Sequence, residues 1–150
     1  MDGNKISDDV TVMGQVNAEE LQQAKAEGFR SVLNLRAPEE EGILPNEKET
    51  AEEAGLFYRN IPVRKEEITD ELTTQILAEI DTLPKPALIH CSKGMRAGAM
   101  AFMHMATRHG MTANQAMEKA QSQGFDCNSE PQLKQFFEHY VDARSGKGGQ

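Results

Sequence analysis

The sequence contains no tryptophan and only two cysteines, Cys91 and Cys127. Two cysteines cannot build the disulfide framework of a small secreted domain, so the fold must rest on burial. No apolar run approaches the roughly 18 residues needed to cross a bilayer. The opening Met1-Asp2-Gly3-Asn4-Lys5 has no apolar leader segment, so a reducing cytoplasm that keeps thiols free is the expected location. Basic runs are missing too: 16 Lys and Arg stand against 24 Asp and Glu, a formal charge of −8. Such a surface repels polyphosphate backbones and anionic lipid heads, so neither nucleic acid nor membrane is an expected partner. An acidic protein that handles an anion must do so in a local positive pocket. Neither G-x-x-x-x-G-K-[ST] nor G-x-G-x-x-G occurs, which leaves nucleotide binding without a motif. His104, His109 and His139 pair with no cysteine or histidine at metal-ligand spacing, so no metal or other cofactor is expected.

What is present is an alternation of short apolar runs and helical patterns over 150 residues, enough for one domain with a proper core. Residues 1–7 are polar and read as loose. Val10–Met13 reads as a strand ended by Gly14. Asn17 with Glu20 makes a capping box for a helix from Ala18 to Glu27. Phe29–Leu35 is the next strand, and Arg36-Ala37-Pro38-Glu39-Glu40-Glu41-Gly42 leaves it as a charged loop whose glutamates read as solvated surface. Asn46 is placed to cap a short acidic helix, Glu47–Ala54. Leu56–Ile61 is a third strand, and Pro62-Val63-Arg64-Lys65-Glu66-Glu67 a loop at its end. Thr69 opens a helix from Asp70 to Leu83 with an apolar stripe at Leu72, Ile76, Leu77 and Ile80. A strand from Ala87, a helix apolar on nearly every face (Ala97 to Ala106), a helix capped by Thr112, and a last helix capped by Ser129 complete the domain, 8–142, before a flexible tail at 143–150. Alternating strands and helices predict an α/β fold with a small, mostly parallel sheet flanked by helices. In such sheets sites lie at the strands' carboxyl ends, which puts Arg36 among the candidates for binding.

The chemically distinctive stretch is Ala87-Leu88-Ile89-His90-Cys91-Ser92-Lys93-Gly94-Met95-Arg96-Ala97-Gly98. It reads as a buried strand end, a small-residue loop and the N-terminus of a buried helix. Helix N-termini present unpaired N–H groups and partial positive charge, and so bind anions. Thiols at such positions have pKa values of roughly 3.5–7.5 against about 8.5 when free. Arg96 adds a planar fork suited to phosphate or sulfate, and Gly94 permits a close backbone approach. Cys91 is therefore the candidate nucleophile, with Ser92, Lys93, Gly94, Met95 and Arg96 as the candidate anion cradle. His90 reads as a buried residue that holds the loop, and Cys127 as an inert thiol.

His90-Cys91-x-x-Gly94-x-Arg96 resembles the H-C-x-x-G-x-x-R-[ST] loop of cysteine-dependent phosphatases, the dual-specificity type in particular. Four residues rather than five separate Cys91 from Arg96, and Ala97 stands where that family has the hydroxyl residue that helps the cysteine leave the phospho-enzyme. The shorter loop is similar in length to that of rhodanese-type sulfurtransferases. It is also similar to the loop of a bacterial family, the beta-lactamase hydrolase-like protein, phosphatase-like domain, some of whose members are labelled sulfurtransferases. Gly14-Gln15, Val32-Leu33-Asn34-Leu35-Arg36 and Ile61-Pro62-Val63 follow that family's order, and the resemblance covers roughly residues 8 to 142. It implies four strands around the Cys91 strand, with the last helices packed on one face. In the resembling phosphatases an Asp on the loop after a strand like Leu56–Ile61 protonates the leaving group. Here Lys65 falls about where that Asp would stand, and Glu66 and Glu67, one methylene longer than Asp, are the candidate catalytic acids that could reach in.

The expected activity is phosphomonoester hydrolysis through a cysteinyl-phosphate at Cys91, on a small phosphorylated anion or a phosphoprotein. Sulfur transfer through a Cys91 persulfide, on a small sulfur-bearing anion, is the alternative. A phosphate-binding module without turnover is the third reading, favoured by Ala97 and by the absence of an Asp near Lys65.

Overall fold

Strand Val10–Met13 (β2) and strand Ala87–His90 (β5) run side by side and parallel, Val10 opposite Ala87 and Met13 opposite His90. On its other edge β5 pairs in parallel with Ser31–Asn34 (β3), and β3 pairs in parallel with Phe57–Asn60 (β4). The outermost partner is a short strand, Asn4–Lys5 (β1), antiparallel to β2. The sheet order is thus β1-β2-β5-β3-β4, with β5 in the middle. The computed structural model describes residues 3–126 and 130–144, with Lys65 through its backbone alone. Cys127, the cap at Ser129 and the tail from 145 lie outside the described residues.

Successive strand residues point to opposite faces, and both faces of the three inner strands, β2, β5 and β3, are buried. Leu33 and Ile89 face one apolar cluster, Val32 and Leu88 the other. The first cluster includes residues of four helices: Asp70–Thr82 (α3), Met95–Arg108 (α4), Ala113–Ser122 (α5) and Pro131–Arg144 (α6). The second is covered by Ala18–Ala26 (α1) and Glu47–Glu53 (α2). β3 and β5 are buried at all four positions, the continuous pattern of a parallel strand covered on both sides. The α1 capping box forms as its sequence predicts, Glu20 N–H donating to Asn17 Oδ1 at 2.8 Å. Thr112 caps α5 with Gln115 in the same way. α4 buries eight of its 14 residues, as its all-round apolarity requires.

Three details differ from the sequence expectation. The sheet has five strands rather than four, because Asn4–Lys5, in the segment expected to be loose, pairs with Thr11 and Val12. A strand edge offers unpaired N–H and C=O groups to any neighbouring chain, a demand that hydropathy does not register. Asn46 does not cap α2: it sits at φ 59° with no side-chain cap bond. Glu47, the first helical residue, is buried at 5% exposure. Finally, the Glu39–Glu41 run is not uniformly solvated, because Glu40 turns inward.

Candidate active site

β2, β3, β4 and β5 are parallel, so Met13, Asn34, Asn60 and His90 all end on one edge of the sheet. The loops after them meet there. Cys91 follows the central strand and is 1% exposed. Its N–H donates to Met13 O at 3.3 Å. Gly94, at φ 92°, turns the chain into α4, a conformation that L side chains rarely adopt. The turn brings two backbone amides onto the sulfur: Gly94 N–H donates to Cys91 Sγ at 3.2 Å and Ala97 N–H at 3.4 Å. The first turn of α4 therefore wraps the thiol, with the helix N-terminal dipole behind it. β2's exit holds the other flank. Gln15 N–H donates to Ser92 O at 3.0 Å, and a side chain on Gly14 would meet that same carbonyl oxygen at 2.7 Å. Gly14 is there to let the two loops touch.

Arg96 lies in α4's first turn. Its Nη1 donates to Glu40 Oε2 at 2.7 Å and to Val63 O at 2.7 Å, and its Nη2 donates to Glu40 Oε1 at 2.9 Å. One edge of the guanidinium is thus clasped by a carboxylate and a backbone carbonyl. The Nε edge has no such tie among the described residues. The hydrogen bonds to Glu40 are the main cause that raises the Arg96 pKa, against burial, and the nearby Cys91 adds to the rise. Glu40 is in turn held by Arg36 Nε at 3.0 Å and accepts the Ala37 N–H at 2.8 Å. Its hydrogen bonds, that from Arg96 foremost, lower its pKa to about 2, so it is a fixed anion at neutral pH.

Arg36, a candidate for substrate binding, is 4% exposed. Its remaining donors go to Gln15 Oε1 at 2.7 Å and to the Glu41 carbonyl. The structure uses it to hold Glu40 and the β2 exit together, not to face a ligand. His90 is fully buried, with Nε2 at 2.5 Å from Glu47 Oε2 and Nδ1 at 3.3 Å from Cys91 O. Gln15 Nε2 donates to Glu47 Oε1 at 3.1 Å, so His90 is a loop-holding residue tied to α2. Glu47 carried no separable signal: a Glu at the start of an acidic helix reads as surface until the fold places His90 against it.

A cavity of about 230 Å³ opens over the thiol, lined by Glu40, Cys91, Ser92, Lys93, Met95, Arg96 and Glu130. The predicted Ser92, Lys93, Met95 and Arg96 are all brought together there, while Gly94 contributes its N–H from behind. Glu66 and Glu67 are not brought to it. Both are exposed, and they line a neighbouring depression with Glu39, Glu40, Arg64 and Arg96. Ala97, where the resembling loop has a hydroxyl, is fully buried among the core residues. Among the described residues no group of His, Cys, Asp and Glu is gathered as a metal cage, and no helix is long and apolar enough to cross a membrane.

Comparison with known proteins agrees with this fold. The family described as "Beta-lactamase hydrolase-like protein, phosphatase-like domain" matches residues 2–108. A beta-lactamase hydrolase-like protein of Xylella fastidiosa is 29% identical over 124 residues, which are 81% of this chain and 29% of that protein. The chain therefore spans under a third of the curated relatives it matches. Among solved structures, a Shewanella putrefaciens protein of the DUF442 type has a TM-score of 0.82 at 21% identity, covering 95% of this chain and 93% of that one. The core catalytic domain of the PP-IP phosphatase SIW14 from S. cerevisiae, in complex with citrate, has a TM-score of 0.72 at 18% identity, covering 99% of this chain and 93% of that one. Likeness at that identity establishes the fold, a cysteine-phosphatase α/β fold, and nothing finer.

Proposed function

Because the chain belongs to the beta-lactamase hydrolase-like protein, phosphatase-like domain family, we propose that it hydrolyses phosphomonoesters with Cys91 as nucleophile. The observation that carries this reading is the convergence of Gly94 N–H and Ala97 N–H on Cys91 Sγ, with Arg96 in the same cavity wall. Sγ attacks phosphorus; the S–P bond forms as the ester P–O bond breaks. Loop amides and the Nε edge of Arg96 take the charge that develops on the equatorial oxygens, a type of stabilisation worth roughly 10²–10³-fold per well-placed donor. Water then attacks the cysteinyl-phosphate, releasing inorganic phosphate and the thiolate. The two carboxyl groups lining the cavity are Glu40 and Glu130. Glu40 is already ionised and cannot donate a proton; we assign the leaving-group proton to water, and Glu130→Gln is expected to leave the ratio of aryl to alkyl phosphate rates unchanged.

Sulfur transfer is the second reading, supported by the four-residue spacing from Cys91 to Arg96. A loop one residue shorter offers one amide fewer, and a persulfide needs less room than a phosphoryl group. One preparation assayed two ways decides between them: phosphate release from an aryl phosphate, and thiocyanate formation from thiosulfate and cyanide. The expected result is phosphate release abolished by Cys91→Ser, with no thiocyanate. Thiocyanate without phosphate release refutes the phosphatase reading, and inactivity in both assays with phosphate still bound leaves the binding module.

A further inference from the structure

The cavity over Cys91 is small. At about 230 Å³ it falls below the roughly 300–1,000 Å³ of pockets that enclose a whole small molecule. It holds a phosphoryl group and little more, so the rest of a substrate must lie outside it. One wall residue, Glu130, also lines a second groove of about 360 Å³, together with Glu66, Ile68, Gln132, Leu133 and Phe136. The groove runs between the turn after β4 and the start of α6. Its floor is apolar and firmly built: Leu133 is buried, and Phe136 stacks on Tyr140 with ring centroids 5.9 Å apart. The Tyr140 hydroxyl is itself bonded to Thr74 Oγ1 at 2.7 Å.

Its rim is acidic, and part of that charge is uncompensated. Glu39 is spent on Arg64, with contacts of 2.6 and 3.1 Å, and Glu40 on Arg96 and Arg36. Glu39, Glu40 and Glu67 belong to the neighbouring depression, where Arg64 also stands, whereas Glu66 lines the groove itself, is exposed, and enters no ion pair among the described residues. An apolar floor beneath the exposed Glu66 carboxylate suits a ligand with an apolar side chain and a cation next to it. It repels one that carries further phosphates.

We propose that this groove receives the leaving-group side of the substrate, and that the substrate is a phosphorylated peptide segment with an apolar residue and a Lys or Arg beside the phosphorylated side chain. This rests on the reading of Cys91 as a phosphatase nucleophile. A peptide supplies apolar and cationic groups at adjacent positions, whereas anionic lipids and polyphosphates meet the acidic rim with like charge.

The test uses three phosphotyrosine peptides that share an apolar neighbour and differ in flanking Lys, Gln or Glu, with a simple aryl phosphate and a small cationic phosphoester, phosphocholine, alongside. Phosphate release is measured on the full chain at low salt, and peptide binding on Cys91→Ser. The Lys peptide is expected to exceed the Glu peptide roughly tenfold in kcat/KM and in affinity, since exposed charges act through a screened solvent. The gap should close at high salt, Glu66→Lys should reverse or erase it, and Phe136→Ala should raise the KM for all three. Equal peptides, or a preference untouched by Glu66→Lys, overturn the proposal, as does phosphocholine matching the Lys peptide. Failure of the phosphatase reading looks different: no phosphate is released from any substrate, and the groove is still read by the binding measurements on Cys91→Ser.

Discussion

At Arg96 the two edges of one guanidinium do different things: Glu40 and Val63 O hold the Nη1/Nη2 edge, and in the proposed reaction the Nε edge takes the phosphoryl group. Holding Glu40 by two parallel bonds while a third donor faces the cavity requires a planar fork, which an ammonium cannot supply. Arg96→Lys should therefore lose most of what Arg96→Ala loses, roughly 10²-fold in kcat/KM, and phosphate should no longer protect Cys91 from iodoacetate in either variant. Normal protection in the lysine variant would show that charge alone suffices. Glu40 gives a second test. Its pKa falls from 4.5 to about 2 on folding, by hydrogen bonds from Arg96 first. A depressed carboxyl pKa contributes stability that is full above 4.5 and is lost as the pH falls toward 2. Glu40→Gln should destabilise at neutral pH by roughly 2–5 kcal/mol, because Arg36 is left buried beside a neutral group. Urea unfolding at several pH values reads this: the gap between wild type and variant should narrow between pH 4.5 and pH 2, and a gap independent of pH would dismiss the ion-pair account.

Between elements, the contact that matters most is that of the β2 exit with the Cys91 loop. Gly14 has no room for a Cβ against Ser92 O, at 2.7 Å. Backbone on both sides must shift to accept one, which displaces the loop that aims Sγ. Gly14→Ala is expected to lower kcat/KM on the order of 10²-fold while costing about 1–3 kcal/mol of stability. A folded variant of wild-type activity would show the loop tolerant of that displacement. Gly98 in α4 is a packing glycine of a different kind: an added Cβ would fall 2.2 Å from Phe125 Cε1. Gly98→Ala should lower Tm through the α4–Phe125 contact, and activity should follow Tm instead of changing independently of it.

Across the whole molecule there are 24 acidic residues, of which Glu40 and Glu130 line the cavity over Cys91, and the proposed reaction uses none of them as a proton donor. Without a general acid the enzyme forfeits roughly 10²–10⁴-fold on poor leaving groups. Aryl phosphates should react well, alkyl phosphates barely, and rates should fall steeply as the leaving-group pKa rises. Glu67→Gln should leave the aryl-to-alkyl ratio where it was. A selective loss on alkyl phosphates in that variant would mean that the turn at Lys65–Glu67 swings its carboxylate into the cavity.

The sequence by itself determined most of the scaffold and the centre of the site. Period-two and all-apolar runs mark β2, β3, β5 and α4 because burial is written in side-chain type. Asn17 with Glu20 and Thr112 with Gln115 mark helix starts because capping bonds are local. Cys91, Gly94 and Arg96 are adjacent in the chain, so their joint chemistry can be read without the fold. What tertiary structure alone decided are the partners that come from elsewhere. Glu40 meets Arg96 across 56 positions, Glu47 meets His90 across 43, and Arg36 meets Gln15 across 21. A glutamate carries the same side chain on the surface and in a buried ion pair. Which of the two it becomes depends on the parallel pairing of β2, β3 and β4 around β5, which ends four strands on one edge and brings their loops into a single cluster.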